Sequence, residues 1–237
     1  MKKCAILLSG IINNTNYENI KENIINSNPN YEFDFFLSFW DYFFGICYSE
    51  STELNDILVN PKLIDVEKIL GIYNPKKFVN CNVSEFIHFY NTNKLNDIML
   101  KNNYYQKYKH LSYRSLSQFY MVNQVINILS EYENDNNLHY DVVIRYRYDL
   151  FTTKPIYLDN FNYENEIYGI QRKDCFPDWI FISNSTNMKL FMKAYLSILN
   201  GEINSGSPEE IFIESCVKNV KNCNMSFTLE DTFELIR

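Results

Sequence analysis

The stretch Asp141-Val142-Val143-Ile144-Arg145-Tyr146-Arg147-Tyr148-Asp149-Leu150-Phe151 is the strongest constraint in this chain. Its first half is a β-branched apolar run, the composition of a buried strand. Side chains alternate along a strand, so Arg145, Arg147 and Asp149 share one face and Ile144, Tyr146 and Tyr148 the other. Two cations and a carboxylate therefore gather where the apolar run ends. In an open parallel sheet, ligands bind outside the carboxyl ends of the strands. The pattern fits arginines that face a diphosphate, with Asp149 holding a divalent metal that bridges the same phosphates. A same-face Arg–Asp ion-pair row at a sheet edge is the alternative.

Residues 112–132 read as a long helix, since Leu116, Phe119, Tyr120, Val122, Val125, Ile126 and Leu129 form a broad apolar face. Tyr113, Ser117, Gln118 and Asn123 supply polar groups that could edge a cleft. A polar loop over 133–139 leads into the central strand. Helix, loop and buried strand make half of a β–α–β unit, which implies a parallel sheet. Upstream, residues 4–8 read as a first buried strand ending in Ser9-Gly10, and 17–25 as a helix with Asn13-Asn14-Thr15 before it as a cap. A second strand spans 33–40. Two short helices are expected between 52 and 70, with Pro61 in the first turn of the second, and then a strand over 76–79.

Residues 83–110 have weak periodicity and are read as a helical insertion or a lid. Downstream, 166–171 and 179–182 read as strands and 184–199 as a helix closed by Asn200-Gly201. Ser207-Pro208 opens another helix, and 225–228 can add an edge strand. The expected architecture is a single α/β domain over 1–237, a mostly parallel Rossmann-like sheet flanked by helices.

Composition removes several classes. A net charge of −7 lacks the basic surface of a general nucleic-acid binder. The six cysteines and three histidines stand far apart with no C-x-x-C pair, so a Cys/His zinc site has no sequence support and free thiols are expected. Sequons at Asn13, Asn82, Asn184 and Asn224 are what chance gives in an Asn-rich chain. No segment reaches the roughly 20 apolar residues of a membrane span. The opening apolar run is short and lacks a signal-peptide cleavage site. A soluble, cytoplasmic protein is expected.

Further candidates lie at the strand ends. Ser9-Gly10 can bring backbone close to a ligand, although neither G-x-G-x-x-G nor a P-loop follows. Trp40-Asp41 could stack on a base and bind a ribose, or be a core Trp beside a solvated acid. Asp178 opens an apolar strand after Pro177, where an acid is either capping or functional. Glu209 and Glu210 are acids in a first helical turn, a placement the helix start explains by itself.

The ordered set "CAILLSG", "FFLSFWD", "YDVVIRYRYDL", "PDWIFISN" and "SPEEIF" resembles small GT-A-type glycosyltransferase domains of bacterial polysaccharide clusters and large DNA viruses. The resemblance covers most of the chain outside the insertion. It implies transfer of a sugar from a nucleotide-diphosphate donor to an acceptor hydroxyl of a glycan or polysaccharide. It also implies donor contacts from Ser9, Gly10, Asp41, Arg145, Arg147 and Asp149, with Mn²⁺ or Mg²⁺ at Asp149. The chain departs from the family's D-x-D by having Arg147 in place of the first acid, and from its first-loop Arg by having Ile11-Ile12-Asn13-Asn14. An inverting enzyme needs a carboxylate base, for which Asp178 comes first and Glu209 or Glu210 second. The alternatives are a metal-independent transferase of the same fold and a catalytically degenerate nucleotide-sugar-fold binding or assembly module.

Overall fold

The computed structural model describes residues 1–12, 15–43, 62–93, 95–101, 106, 109–170, 178–202, 207–220, 224–227 and 233–235. The strands of its main sheet are β1 (Lys2–Gly10), β2 (Tyr31–Trp40), β5 (Lys77–Cys81), β6 (Val142–Tyr146), β8 (Glu166–Gly169), β9 (Ile180–Ser183) and β10 (Asn224–Phe227). Two short ribbons pair β3 (Tyr42–Phe43) with β4 (Lys62–Leu63) and β7 (Leu150–Thr152) with β11 (Phe233–Leu235), both antiparallel. The helices are α1 (Tyr17–Ile20, continued by a π-turn Lys21–Ile25), α2 (Val66–Tyr73), α3 (Val83–Thr92), α4 (Leu95–Met99), α5 (Lys109–Asn136), α6 (Ser185–Phe191), α7 (Ala194–Leu199) and α8 (Pro208–Asn219).

The seven-stranded sheet runs β10-β8-β9-β6-β1-β2-β5. β5, β2, β1 and β6 are mutually parallel, β9 runs against its neighbours β6 and β8, and β10 is parallel to β8. The sheet is therefore mixed, with β9 alone reversed. Both faces are covered, which is why the strands read as continuous apolar runs. Ala5, Leu7, Phe36 and Val143 pack under α3, α5, α6 and α8, while Cys4, Ile6, Leu8, Phe35 and Ile144 pack under α1 and α2.

This division follows from handedness. The path β1-α1-β2-α2-β5 steps along the sheet in one direction with its helices on one face. To return past β1 and lay β6 on its other side, a right-handed crossover must run over the opposite face. α5 makes that return, with Leu116, Phe119, Val122, Val125, Ile126 and Leu129 all buried as its periodicity requires. Strand order thus reverses between β1 and β6.

Several expectations need correction. Glu133 is no loop residue: it lies within α5, is 3% exposed, and accepts from the Tyr140 N–H, Ser185 Oγ and Lys189 Nζ. A buried carboxylate needs such partners. Pro61 and the helix expected just before it lie outside the described residues. α2 starts later than expected, where the Asp65 side chain accepts the Lys68 N–H at 3.1 Å. The helix expected over 184–199 is two helices, broken at Met192-Lys193, with Asn184 as cap of the first. Asn82 caps α3 in the same way, so two of the sequons are helix starts. Within the stretch 83–110, α3 and α4 are helical and α5 begins at Lys109. Among the described residues no helix is long and apolar enough to cross a membrane. Cys4, Cys81 and Cys216 are buried, and burial pushes the Cys81 thiol up to about 12, far from a reactive thiolate. Cys47, Cys175 and Cys223 lie outside the described residues.

Candidate functional site

The reversal of strand order puts the carboxyl ends of β1 and β6 side by side with no crossover helix between them, the position where open α/β sheets bind ligands. β1 contributes Ser9 and Gly10. Leu7 stands opposite Arg145, so Ser9 extends to the level of Arg147 on the same face. The Ser9 Oγ is buried without a hydrogen-bond partner. Gly10 has a φ of +124°, which side-chain-bearing residues rarely adopt, while a Cβ there would meet open space. Backbone conformation, rather than crowding, is what asks for glycine.

β6 ends at Tyr146, and the chain turns over Arg147–Asp149 before β7. The reversed strand β9 completes the site. Because β9 runs against β6, its amino end meets the carboxyl end of β6, with Ile180 opposite Tyr146. Asp178, two residues before Ile180, is thereby delivered to Arg145 and Arg147.

Arg145, Arg147, Asp149 and Asp178 form one charge cluster. Arg147 grips Asp149 with two parallel bonds, Nε to Oδ1 at 2.8 Å and Nη2 to Oδ2 at 2.7 Å. Its Nη1 stands 3.5 Å from Asp178 Oδ1. Arg145, 1% exposed, donates Nη1 to the Asp178 carbonyl oxygen and places Nη2 3.9 Å from Asp178 Oδ2. Burial pushes Arg145 down to about 10, against the pull of Asp178, so it remains a cation at neutral pH. For Arg147 burial acts downward too, but Asp178 and Asp149 together leave it raised. Arg145 is thus sealed beneath the cluster, whereas Arg147 and Asp149 have side chains 29% and 19% exposed.

The remaining candidates divide. Glu209 sits in the first turn of α8 with burial pushing its carboxyl up and the Asp178 charge adding to the rise. Glu210 is committed to a capping box, accepting the Ser207 N–H at 2.7 Å while its own N–H donates to Ser207 Oγ. Asp41 lies at the same sheet edge beyond β2, where its Oδ1 accepts the Val83 N–H at 3.1 Å. Trp40 is core: it is 4% exposed and stacks on Tyr120 at 5.7 Å and 12°. Gln118 Nε2 and the Tyr195 hydroxyl are buried without hydrogen-bond partners. The side chain of Tyr113, and Asn13 and Asn14, lie outside what is described.

Residues that sequence reading missed hold the turn from behind. Asn16, 1% exposed, donates Nδ2 to the carbonyls of Arg147 at 2.9 Å and Leu150 at 3.0 Å. Its own orientation is fixed by Tyr73, whose hydroxyl donates to Asn16 Oδ1 at 2.8 Å and accepts the Asn16 N–H. Asn19 continues the row with a reciprocal pair to Thr152, and Asn23 adds a further bond to the same carbonyl. The signal was present as asparagines at 16, 19 and 23, the spacing of one helix face.

Comparison with models of known protein families gives no match, and comparison with curated proteins gives no significant match.

Proposed function

We propose that this chain is a GT-A-like glycosyltransferase that moves a sugar from a nucleotide-diphosphate donor to a hydroxyl of a glycan acceptor. The observation that carries the reading is the meeting of Arg147, Asp149 and Asp178 with Ser9-Gly10 at the β1/β6 reversal. Departure of a nucleoside diphosphate requires its developing charge to be neutralised, and a fixed guanidinium at a half-buried edge does this with little reorganisation. The Ser9-Gly10 backbone admits a ligand closely. Arg145 lies too deep to touch a donor, and its part is to fix Asp178. Glu209, whose carboxyl holds its proton more firmly than an ordinary glutamate, is the group suited to take a proton from the acceptor hydroxyl. Asp178 is engaged by two arginines and is the weaker base candidate.

The divalent metal implied by the resemblance does not fit these residues as they stand. Both oxygens of Asp149 accept from Arg147, and Asp178 faces guanidinium groups on two sides. Among the described residues no group of three or more His, Cys, Asp or Glu is placed to share an ion.

Titration of UDP-glucose, UDP-galactose, GDP-mannose and dTDP-rhamnose into the protein tests the reading. One donor is expected to bind, and Arg147→Ala to weaken it about tenfold or more, roughly 1.4 kcal/mol. Failure of every donor to bind would sink it. The mutual pairing of Arg147 with Asp149 also suits the second reading, a binding module that has lost catalysis. A bound donor that is neither transferred nor slowly hydrolysed would favour that module.

A further inference from the structure

We propose that the Arg147 guanidinium occupies the place of the divalent cation at this site, so that the nucleotide diphosphate is held without metal. The second half rests on the donor reading above; the first half does not.

A metal at this site would have to be held by Asp149 and Asp178, the two carboxylates of the cluster. Arg147 already engages both. Through Nε and Nη2 it takes both oxygens of Asp149, and through Nη1 it faces Asp178 at 3.5 Å. The pairing is planar and bidentate, the geometry in which arginine binds carboxylate most strongly. Arg145 adds a second fixed cation on the buried side of Asp178. Two arginines thus balance two aspartates, and no deficit of positive charge is left for an ion to fill. A divalent ion placed against Asp149 would stand beside a guanidinium held at hydrogen-bond distance, with like charges repelling across a half-buried space.

Arg147 keeps a way to bind the anion. A guanidinium has five N–H groups. Two point to Asp149 and at most one to Asp178, which leaves at least two for a phosphate on the side that solvent reaches. Asp149, itself partly exposed, then acts as a competitor for the guanidinium rather than as a ligand holder. This reverses the sign of a simple substitution. If Asp149 held a metal, Asp149→Asn would abolish diphosphate binding. If Asp149 competes with the phosphate, Asp149→Asn leaves binding intact or tightens it.

The experiment is calorimetric titration of UDP, GDP and dTDP into the full chain, in EDTA and in excess Mn²⁺. It uses wild type, Asp149→Asn, Arg147→Lys and Arg147→Ala, with a thermal melt of each to confirm folding. Mn²⁺ alone is titrated in parallel into wild type, Asp149→Asn and Arg147→Ala. The expected result is wild-type affinity equal within about twofold in the two media, no loss on Asp149→Asn, and a loss of about tenfold on Arg147→Ala with Arg147→Lys between. Mn²⁺ alone is expected to bind Arg147→Ala, where Asp149 is freed and Asp178 keeps only Arg145, and not wild type. Diphosphate binding that needs Mn²⁺ in wild type, or that disappears in Asp149→Asn, overturns the proposal. If no diphosphate binds wild type in either medium, the donor reading and the metal-free half fail together. The Mn²⁺ titration still decides the first half: an ion bound by wild type and lost in Asp149→Asn refutes it, and one gained only in Arg147→Ala supports it.

Discussion

Asp178 is the residue on which the buried charge of this site turns. It is 5% exposed, and its Oδ2 has no hydrogen bond, only the Arg145 guanidinium at 3.9 Å. Taking away one member of a buried pair strands the other charge away from water. Asp178→Ala is therefore expected to cost about 3–5 kcal/mol in denaturant unfolding. Removing both charges, in Arg145→Leu with Asp178→Ala, should recover a good part of that loss. A double variant as unstable as the single one would show that the pair is not what Asp178 supports. Glu209 works in the opposite sense. Its carboxyl is raised by burial and by Asp178, so near neutral pH the folded state holds an anion that the unfolded chain holds more easily. Below the ordinary glutamate range both states bind the proton and the penalty vanishes. Glu209→Gln should accordingly raise Tm near neutral pH, with the gain shrinking to nothing as pH falls through that range. A gain that persists in acid would assign the effect to packing instead.

At the scale of the element, α1 and its π-turn do the work of a neighbouring strand. Asn16, just before α1, and Asn19 within it both point at the backbone of 147–152, and each makes a pair of bonds there. Further along, Asn28 clamps Ile156 and Leu158, its Nδ2 donating to the Ile156 carbonyl and its Oδ1 accepting the Leu158 N–H, both at 2.7 Å. The two ends of this row differ in what they hold. Asn16→Ala takes a donor from the buried Leu150 carbonyl and from the part-buried Arg147 carbonyl and is expected to cost about 1–3 kcal/mol. Because those carbonyls bracket the Arg147–Asp149 turn, the same variant should weaken nucleotide binding. Asn28→Ala should lose comparable stability from the far side of the segment and leave binding unchanged. Titrating both variants separates positioning from stability, and equal losses of affinity would refute a positioning role for Asn16.

At the scale of the whole molecule, what was readable in the sequence was whatever a period encodes. The apolar runs of β1, β2 and β6 and the face of α5 follow from alternation and helical spacing, and the R-x-R-x-D candidates came with them. Partner choice has no period. Nothing in Ile180-Phe181-Ile182 says that this strand runs against β6, yet that reversal is what carries Asp178 to Arg145 and Arg147. Asparagine abundance hid the α1 row for a related reason: composition made each Asn look incidental. The same three-dimensional logic decides the fate of β7, which follows the site directly and lies outside the main sheet. The N–H and C=O groups of alternate strand residues point to opposite sides. The Leu150 C=O turns to Asn16 and both backbone groups of Thr152 turn to Asn19, so the Phe151 N–H and C=O face β11, where Glu234 stands opposite. Both edges of β7 are thereby covered, one by side chains and one by β11. Amide exchange can read the two sides separately. Ending the chain at Thr232 should release the Phe151 amide while Thr152 stays protected by Asn19. Asn19→Ala should do the reverse. If both amides are released together by either change, β7 is held as one unit with the site turn, and the two sides are not independent.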